Sequence, residues 1–170
     1  MPTSAALAEP PPTPRPGDRR SAGRPTPPRL DDQLCFAIYV ASRAVVQAYG
    51  PLLQELGLTY PQLLVMMVLW ERDAITVSAL GERLMLDSGT LTPLLKRLER
   101  AGLITRRRDP GDERRVRIRL SGVGAELGPR AGEAHRALVC SLGWHVGAAP
   151  DVLRRALLQL TRQLQRPGEP

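Results

Sequence analysis

Residues 76–120 run TVSALGERLMLDSGTLTPLLKRLERAGLITRRRDPGDERRVRIRL, and this stretch decides the fold. Thr76 can cap a helix over Val77 to Leu84, because a threonine hydroxyl before an apolar-periodic run accepts an otherwise unpaired amide. Asp87 or Ser88 can cap a second helix from Gly89 to about Ala101, which Gly102 closes. Pro93 falls early enough in that helix to be tolerated. Two helices joined by a turn of three or four residues form a helix-turn-helix unit. Beyond it, Leu103 to Arg108 and Arg114 to Leu120 alternate apolar with charged residues around Asp109-Pro110-Gly111-Asp112. That is the pattern of a two-stranded hairpin with a tight loop, a wing beside the second helix.

On the N-terminal side, Tyr60 to Trp70 carries Leu63, Leu64, Met66, Met67, Val68 and Leu69 with almost no polar face, as expected of a core helix buried on most sides. A short helix, Leu52 to Leu56, precedes it and closes at Gly57. Further back, Leu34, Ile38, Ala41 and Val45 recur at spacings of three and four and mark an amphipathic helix that ends near Gly50-Pro51. After the wing, Ser121 to about Gln165 is helical with a break near Gly147 to Pro150. Its Leu127, Leu138, Leu142, Leu153, Leu157 and Leu160 are expected to lack partners inside so small a domain and to be buried by a second copy.

Residues 1–29 hold nine of the 17 prolines and five arginines with almost no large apolar side chain, and are expected to form a disordered tail. The fold class that results is mainly α with a small β-hairpin wing. A winged helix-turn-helix over about 60–120 is flanked by dimerisation helices over about 30–58 and 121–166, within one domain spanning 30–166.

The chain has 170 residues, 42% of them hydrophobic, and a formal net charge of +7, enough apolar material for one domain and a balance that favours an anionic partner. Nearly all the positive charge is arginine, Lys96 being the only lysine, so compositional bias also contributes to it. No apolar run approaches the roughly 20 residues needed to cross a bilayer, and the N-terminus lacks a signal-peptide core. A cytoplasmic protein without membrane contact is expected. Cys35 and Cys140 are too few for a secreted disulfide framework and lack the paired spacing of a zinc module.

Between Asp87 and Leu120 lie ten Lys or Arg and five Asp or Glu, so the excess positive charge collects on the second helix and the hairpin. A helix whose first turn offers Ser88, Gly89, Thr90 and Thr92 can enter a DNA major groove, where hydroxyls and backbone amides reach bases and phosphates. Lys96, Arg97 and Arg100 follow at spacings that keep at least one cation facing the DNA backbone, Arg106 and Arg115 on the hairpin are further DNA-binding candidates, and Arg114 near the tip can reach the adjacent minor groove. A charge run is often only a solvated face. Here the order helix, turn, helix, basic hairpin argues for double-stranded DNA as the partner.

The stretch Leu80-Gly81-Glu82-Arg83-Leu84, then Asp87 through Glu99, Gly102-Leu103-Ile104-Thr105-Arg106 and Asp109-x-x-Asp112-x-Arg114 resembles the multiple-antibiotic-resistance regulator (MarR) family. The resemblance covers about residue 30 to residue 165. It implies a homodimer whose first and last helices interlock while two winged helices contact successive grooves of an inverted-repeat operator.

Read alone, Cys35, between Leu34 and Phe36, is the pattern of an inert buried thiol. Yet Leu34-Cys35-Phe36-x-x-Tyr39, Tyr49-x-Pro51-Leu52-Leu53 and Leu58-Thr59-Tyr60-Pro61-Gln62 are together similar to the organic hydroperoxide resistance regulators, peroxide-sensing repressors within that family. The similarity implies that Cys35 is the sensing thiol and that Tyr49 and Tyr60 approach it across the dimer interface. Phenolic hydroxyls stabilise a thiolate by hydrogen bonding, and the thiolate is the form that attacks a peroxide oxygen. Apolar neighbours such as Leu34 and Phe36 would favour alkyl or lipid hydroperoxides over hydrogen peroxide. The resemblance also aligns Cys140 with the second cysteine of the two-cysteine regulators, implying an intersubunit Cys35–Cys140 disulfide. Tyr39 and Arg43, one and two turns beyond Cys35, are candidates to couple the sensor to Asp87 at the start of the recognition helix.

A metal reading of His135, Cys140 and His145 fails on geometry, since spacings of five place successive side chains on different helix faces. No cofactor is expected. Three other functions fit parts of the pattern: a repressor released by a non-oxidising small ligand, a thiol peroxidase using Cys35 and Cys140, and a sequence-blind chromatin packer. The absence of a nucleotide loop or catalytic triad speaks against an enzyme.

Overall fold

A computed structural model describes residues 27–141 and 148–165. By contacts the chain divides into two units, one ending at Tyr39 and one beginning at Val40. In the first, a single 3₁₀ turn over Leu30–Asp32 leads into the opening turns of α1 (Leu34–Ala48). The expected tail falls almost wholly outside the described residues, as do Leu142, His145 and Gly147.

The second unit contains the rest of α1, then α2 (Gly50–Leu56), α3 (Tyr60–Glu71), β1 (Ile75–Thr76), α4 (Val77–Leu84), α5 (Ser88–Arg100), β2 (Ile104–Asp109), β3 (Asp112–Leu120), α6 (Gly122–Ser141) and α7 (Ala148–Gln165). Local chemistry sets these ends. Gly57, at φ 65°, takes the left-handed conformation that closes α2. Gln62 Oε1 accepts from the Thr59 amide and hydroxyl at the start of α3. Thr76 Oγ1 accepts from Ala79 N at 3.2 Å to cap α4. α5 continues through Pro93, which has no N–H to offer the carbonyl one turn back.

The core gathers Leu63, Val65, Met66, Val68 and Leu69 of α3, Leu80 of α4, Leu91, Leu95 and Leu98 of α5, and Ile104 and Ile118 of the sheet. α3 is thus the central helix, although Met67 remains 36% exposed. Two expectations need correction. Leu127 is buried and Leu138 partly buried against this same core, because α6 packs on α2 and α3; neither waits for a second copy. Leu153 and Leu157 on α7 are exposed, as expected.

β2 and β3 form the expected hairpin wing, and β1 adds a third antiparallel strand to their sheet, in the order β1-β3-β2. The two-residue β1 pairs Ile75 with Ile118 and Thr76 with Arg117. Its brevity hid it in the sequence, where Thr76 reads only as a helix cap.

Candidate DNA-binding surface and redox residues

α4 and α5 are joined by Met85, Leu86 and Asp87. Met85 sits in the left-handed region at φ 55°, and Gly81 lets the turn close: a β-carbon there would meet the Leu86 carbonyl oxygen at 2.9 Å. Asp87 caps α5, one carboxylate oxygen accepting from Thr90 N and the other from Thr90 Oγ1, both at 2.9 Å. These two bonds, the backbone one foremost, hold the Asp87 carboxyl below its ordinary range. The Thr90 hydroxyl is therefore engaged in the cap, while Ser88 and Gly89 are exposed beside it and Thr92 is half-buried.

Leu91, Leu94, Leu95 and Leu98 turn inward and leave Lys96, Arg97 and Arg100 exposed on the outer face of α5. On the wing, Arg107, Arg108, Arg114, Arg115 and Arg119 are exposed, and a shallow cleft is lined by Arg108, Asp112, Arg114 and Val116. Arg115 pairs with Asp112 at 3.1 Å. Arg106 is half-buried, its Nε 3.9 Å from a Glu99 carboxylate oxygen. The register sets Arg107 directly opposite Arg117, a like-charge pair that would strain the hairpin. Asp109 relieves it by accepting from Arg117 Nε, while Arg117 also donates to the Ala74 carbonyl at 2.8 Å. The Asp109 carboxyl is held low first by the Gly111 amide and then by Arg117. The sequence marks Asp109 only as part of the turn and of the family motif and does not mark Arg117, although an acid and an arginine flanking a tight turn are the available signal.

Among the redox candidates, Cys35 is in the first turn of α1 and Cys140 near the end of α6; both are exposed free thiols. Tyr39 is exposed. Tyr49 is buried at the α1–α2 junction, its ring edge-to-face with Tyr60 at 5.1 Å between centroids. Its hydroxyl lies 3.3 Å from His135 Nδ1. Burial, with a lesser contribution from Tyr60, pushes the Tyr49 phenol above its ordinary value, so it keeps its proton. From sequence alone His135 offers only the metal reading. Its place on one helical face with Ala131 and Leu138 was the signal that it points inward. Among the described residues no three acidic, histidine or cysteine side chains form a metal cluster.

The model of the MarR family matches residues 58–116. The organic hydroperoxide resistance transcriptional regulator of Bacillus subtilis is 52% identical over 103 residues, 61% of this chain and 70% of that protein. The chain belongs to the MarR family. Another relative, the HTH-type transcriptional regulator TtmR of Methylorubrum extorquens, is 53% identical over 114 residues, 67% of this chain, but the match spans only 58% of TtmR. Among solved MarR-type structures, reduced AbfR bound to DNA superposes with a TM-score of 0.67 at 34% identity, covering 81% of this chain and 96% of AbfR. AbfR, from Staphylococcus epidermidis, has also been solved overoxidised on DNA and in a disulfide form. These relatives are regulators and not enzymes. The chain is a transcriptional regulator of the MarR type, with the winged-helix fold expected from residues 76–120. Among its described residues no single helix is long and apolar enough to cross a membrane.

Proposed function

We propose that this MarR-type regulator is a homodimeric, cytoplasmic repressor that binds an inverted-repeat operator and leaves it when an organic hydroperoxide oxidises Cys35. The observation that carries the reading is an exposed, unpaired Cys35 in a chain 52% identical to an organic hydroperoxide resistance regulator. In the domain over 30–166, α5 enters the major groove with Ser88, Gly89, Thr90 and Thr92. Lys96, Arg97, Arg106 and Arg115 bind phosphates, and Arg114 reaches the minor groove. Exposed Leu34, Val40 and Val46 on α1 and Val152, Leu153 and Leu157 on α7 supply apolar area for a second copy.

The chemistry takes two steps. The Cys35 thiolate attacks the outer peroxide oxygen, an S–O bond forms and the O–O bond breaks. Sulfur is oxidised by two electrons, and the alkoxide takes up a proton and leaves as an alcohol. The Cys140 thiol of the partner subunit then attacks the sulfenic sulfur; an S–S bond forms, the S–O bond breaks and water leaves. Tyr49 and Tyr60 of one protomer stabilise the thiolate of the other, and Tyr39 and Arg43 carry the change to Asp87.

Fluorescence anisotropy on DNA from its own promoter region, titrated with cumene hydroperoxide, tests this. Wild type is expected to dissociate near one equivalent of peroxide while Cys35→Ser stays bound. Persistence of both would leave a regulator with a non-oxidising ligand, and peroxide consumption far beyond one equivalent per thiol would make the protein a peroxidase.

A further inference from the structure

Tyr49, placed above beside the thiolate, forms a part-buried side-chain pair with His135, a residue that neither DNA contact nor the thiol chemistry above uses. Tyr49 closes α1, His135 comes from the inward face of α6, and the gap between hydroxyl and Nδ1 is 3.3 Å. The rings are 5.9 Å apart at 32°, and Tyr60 meets Tyr49 edge-on. Between α2 and α6, Arg130 pairs with Glu55 at 3.7 Å, five positions before His135 along α6.

A phenol has one hydrogen and two lone pairs. If Tyr49 donates to His135, its hydrogen is occupied and only lone pairs remain for anything else, and lone pairs repel a thiolate. If Nδ1 carries hydrogen and donates to Tyr49, the phenol hydrogen is free to point elsewhere, and accepting one bond polarises the O–H so that it donates more strongly. Only the second arrangement suits a tyrosine that stabilises an anion.

We propose that His135 is a positioning residue, donating from Nδ1 to the Tyr49 oxygen so that the Tyr49 hydrogen is directed at the sensing thiolate. The inference rests on the reading of Cys35 as that thiol. It makes α6 contribute to the sensor at two points, through Cys140 as resolving thiol and through His135 as the setter of Tyr49.

The test uses the full-length dimer in a Cys140→Ser background. Thiolate absorbance at neutral pH and the rate of sulfenate formation with cumene hydroperoxide are compared among wild type, His135→Phe, His135→Asn, Tyr49→Phe and His135→Phe/Tyr49→Phe. Loss of a hydrogen bond that supports a charged group is expected to slow oxidation and lower the thiolate signal by about tenfold in His135→Phe. His135→Asn, whose amide nitrogen falls where Nδ1 does, should restore most of it. In the Tyr49→Phe background the His135 change should add nothing. The Nδ1 nitrogen resonance of His135 should read as protonated in wild type and move in Tyr49→Phe, which checks the pair even if His135→Phe folds poorly. A reactive wild type with His135→Phe unaffected, a failed Asn rescue, additive double-variant losses, or an unprotonated Nδ1 would each overturn the role of His135. A wild-type Cys35 that ignores peroxide would instead sink the sensing thiol, and this inference with it.

Discussion

Gly124 faces the carbonyl oxygen of Leu103 with no room for a side chain, since a β-carbon at Gly124 would lie 2.0 Å from that oxygen. The first turn of α6 is thereby pressed on the chain leaving α5. Ser121 N donates to the Leu103 carbonyl at 3.0 Å, and Trp70 Nε1 donates to the Gly124 carbonyl at 2.9 Å.

Glycine to alanine within a helix ordinarily gains roughly 0.5–1 kcal/mol. At Gly132, where nothing lies within 4 Å of an added β-carbon, Gly132→Ala should show that gain. Gly124→Ala should lose stability instead, by about 1–3 kcal/mol or more, because the obstacle is backbone and cannot rotate away. Paired urea melts of the two variants check the opposite signs.

Asp109 has its folded-state pKa depressed relative to the ordinary 3.8. A depressed carboxyl contributes stability that is complete above the unfolded value and is lost as pH falls through the lower folded one. Asp87 acts in the same direction. Melting temperature should therefore be flat with respect to these groups near neutrality and decline below about pH 4. Asp109→Asn should flatten part of that decline while Asp87→Asn flattens another part; a wild-type acid limb unchanged in both variants would refute the assignment.

Lys96 and Arg97 are exposed neighbours on α5. If each neutralises one phosphate per protomer, replacing either with alanine removes two contacts from the dimer and should reduce the slope of log affinity against log salt by about 1.8. The loss should be similar on operator and unrelated DNA for Lys96→Ala. Anisotropy titrations at several salt concentrations give both numbers.

Leu153 and Leu157 are exposed on α7 by 61% and 40%. Leu153→Glu/Leu157→Glu should leave the helical circular dichroism of the winged domain in place and shift sedimentation toward monomer. Operator affinity should fall with it, because two half-sites can no longer be held together.

Residues 76–120 were legible because their signals are local: caps at Thr76 and Asp87, a stop at Gly102, alternation from Arg115 to Leu120. What escaped depends on chain brought from afar. β1 is two residues long and exists only because β3 lies beside it. α6 packs on α2 and α3, more than fifty positions earlier, so the period of Leu127 and Leu138 shows an apolar face without showing what covers it. His135 looked like an isolated histidine because the phenol that meets it stands 86 residues earlier. The cysteine was the opposite case: flanked by Leu34 and Phe36 it reads as core, and the exposed helix around it is what differs.

The short strand β1 has a mechanical consequence. Through Ile75 it ties the hairpin to the segment that runs directly into α4, and Leu120 N donates to Asp73 Oδ1 at 2.8 Å at the same root. Wing, α4 and α5 thus share one footing and have to travel together. Two such heads joined at their far helices would work as a caliper set to the DNA repeat of about 34 Å. Any stimulus acting on such a pair would have only the width of that opening to change.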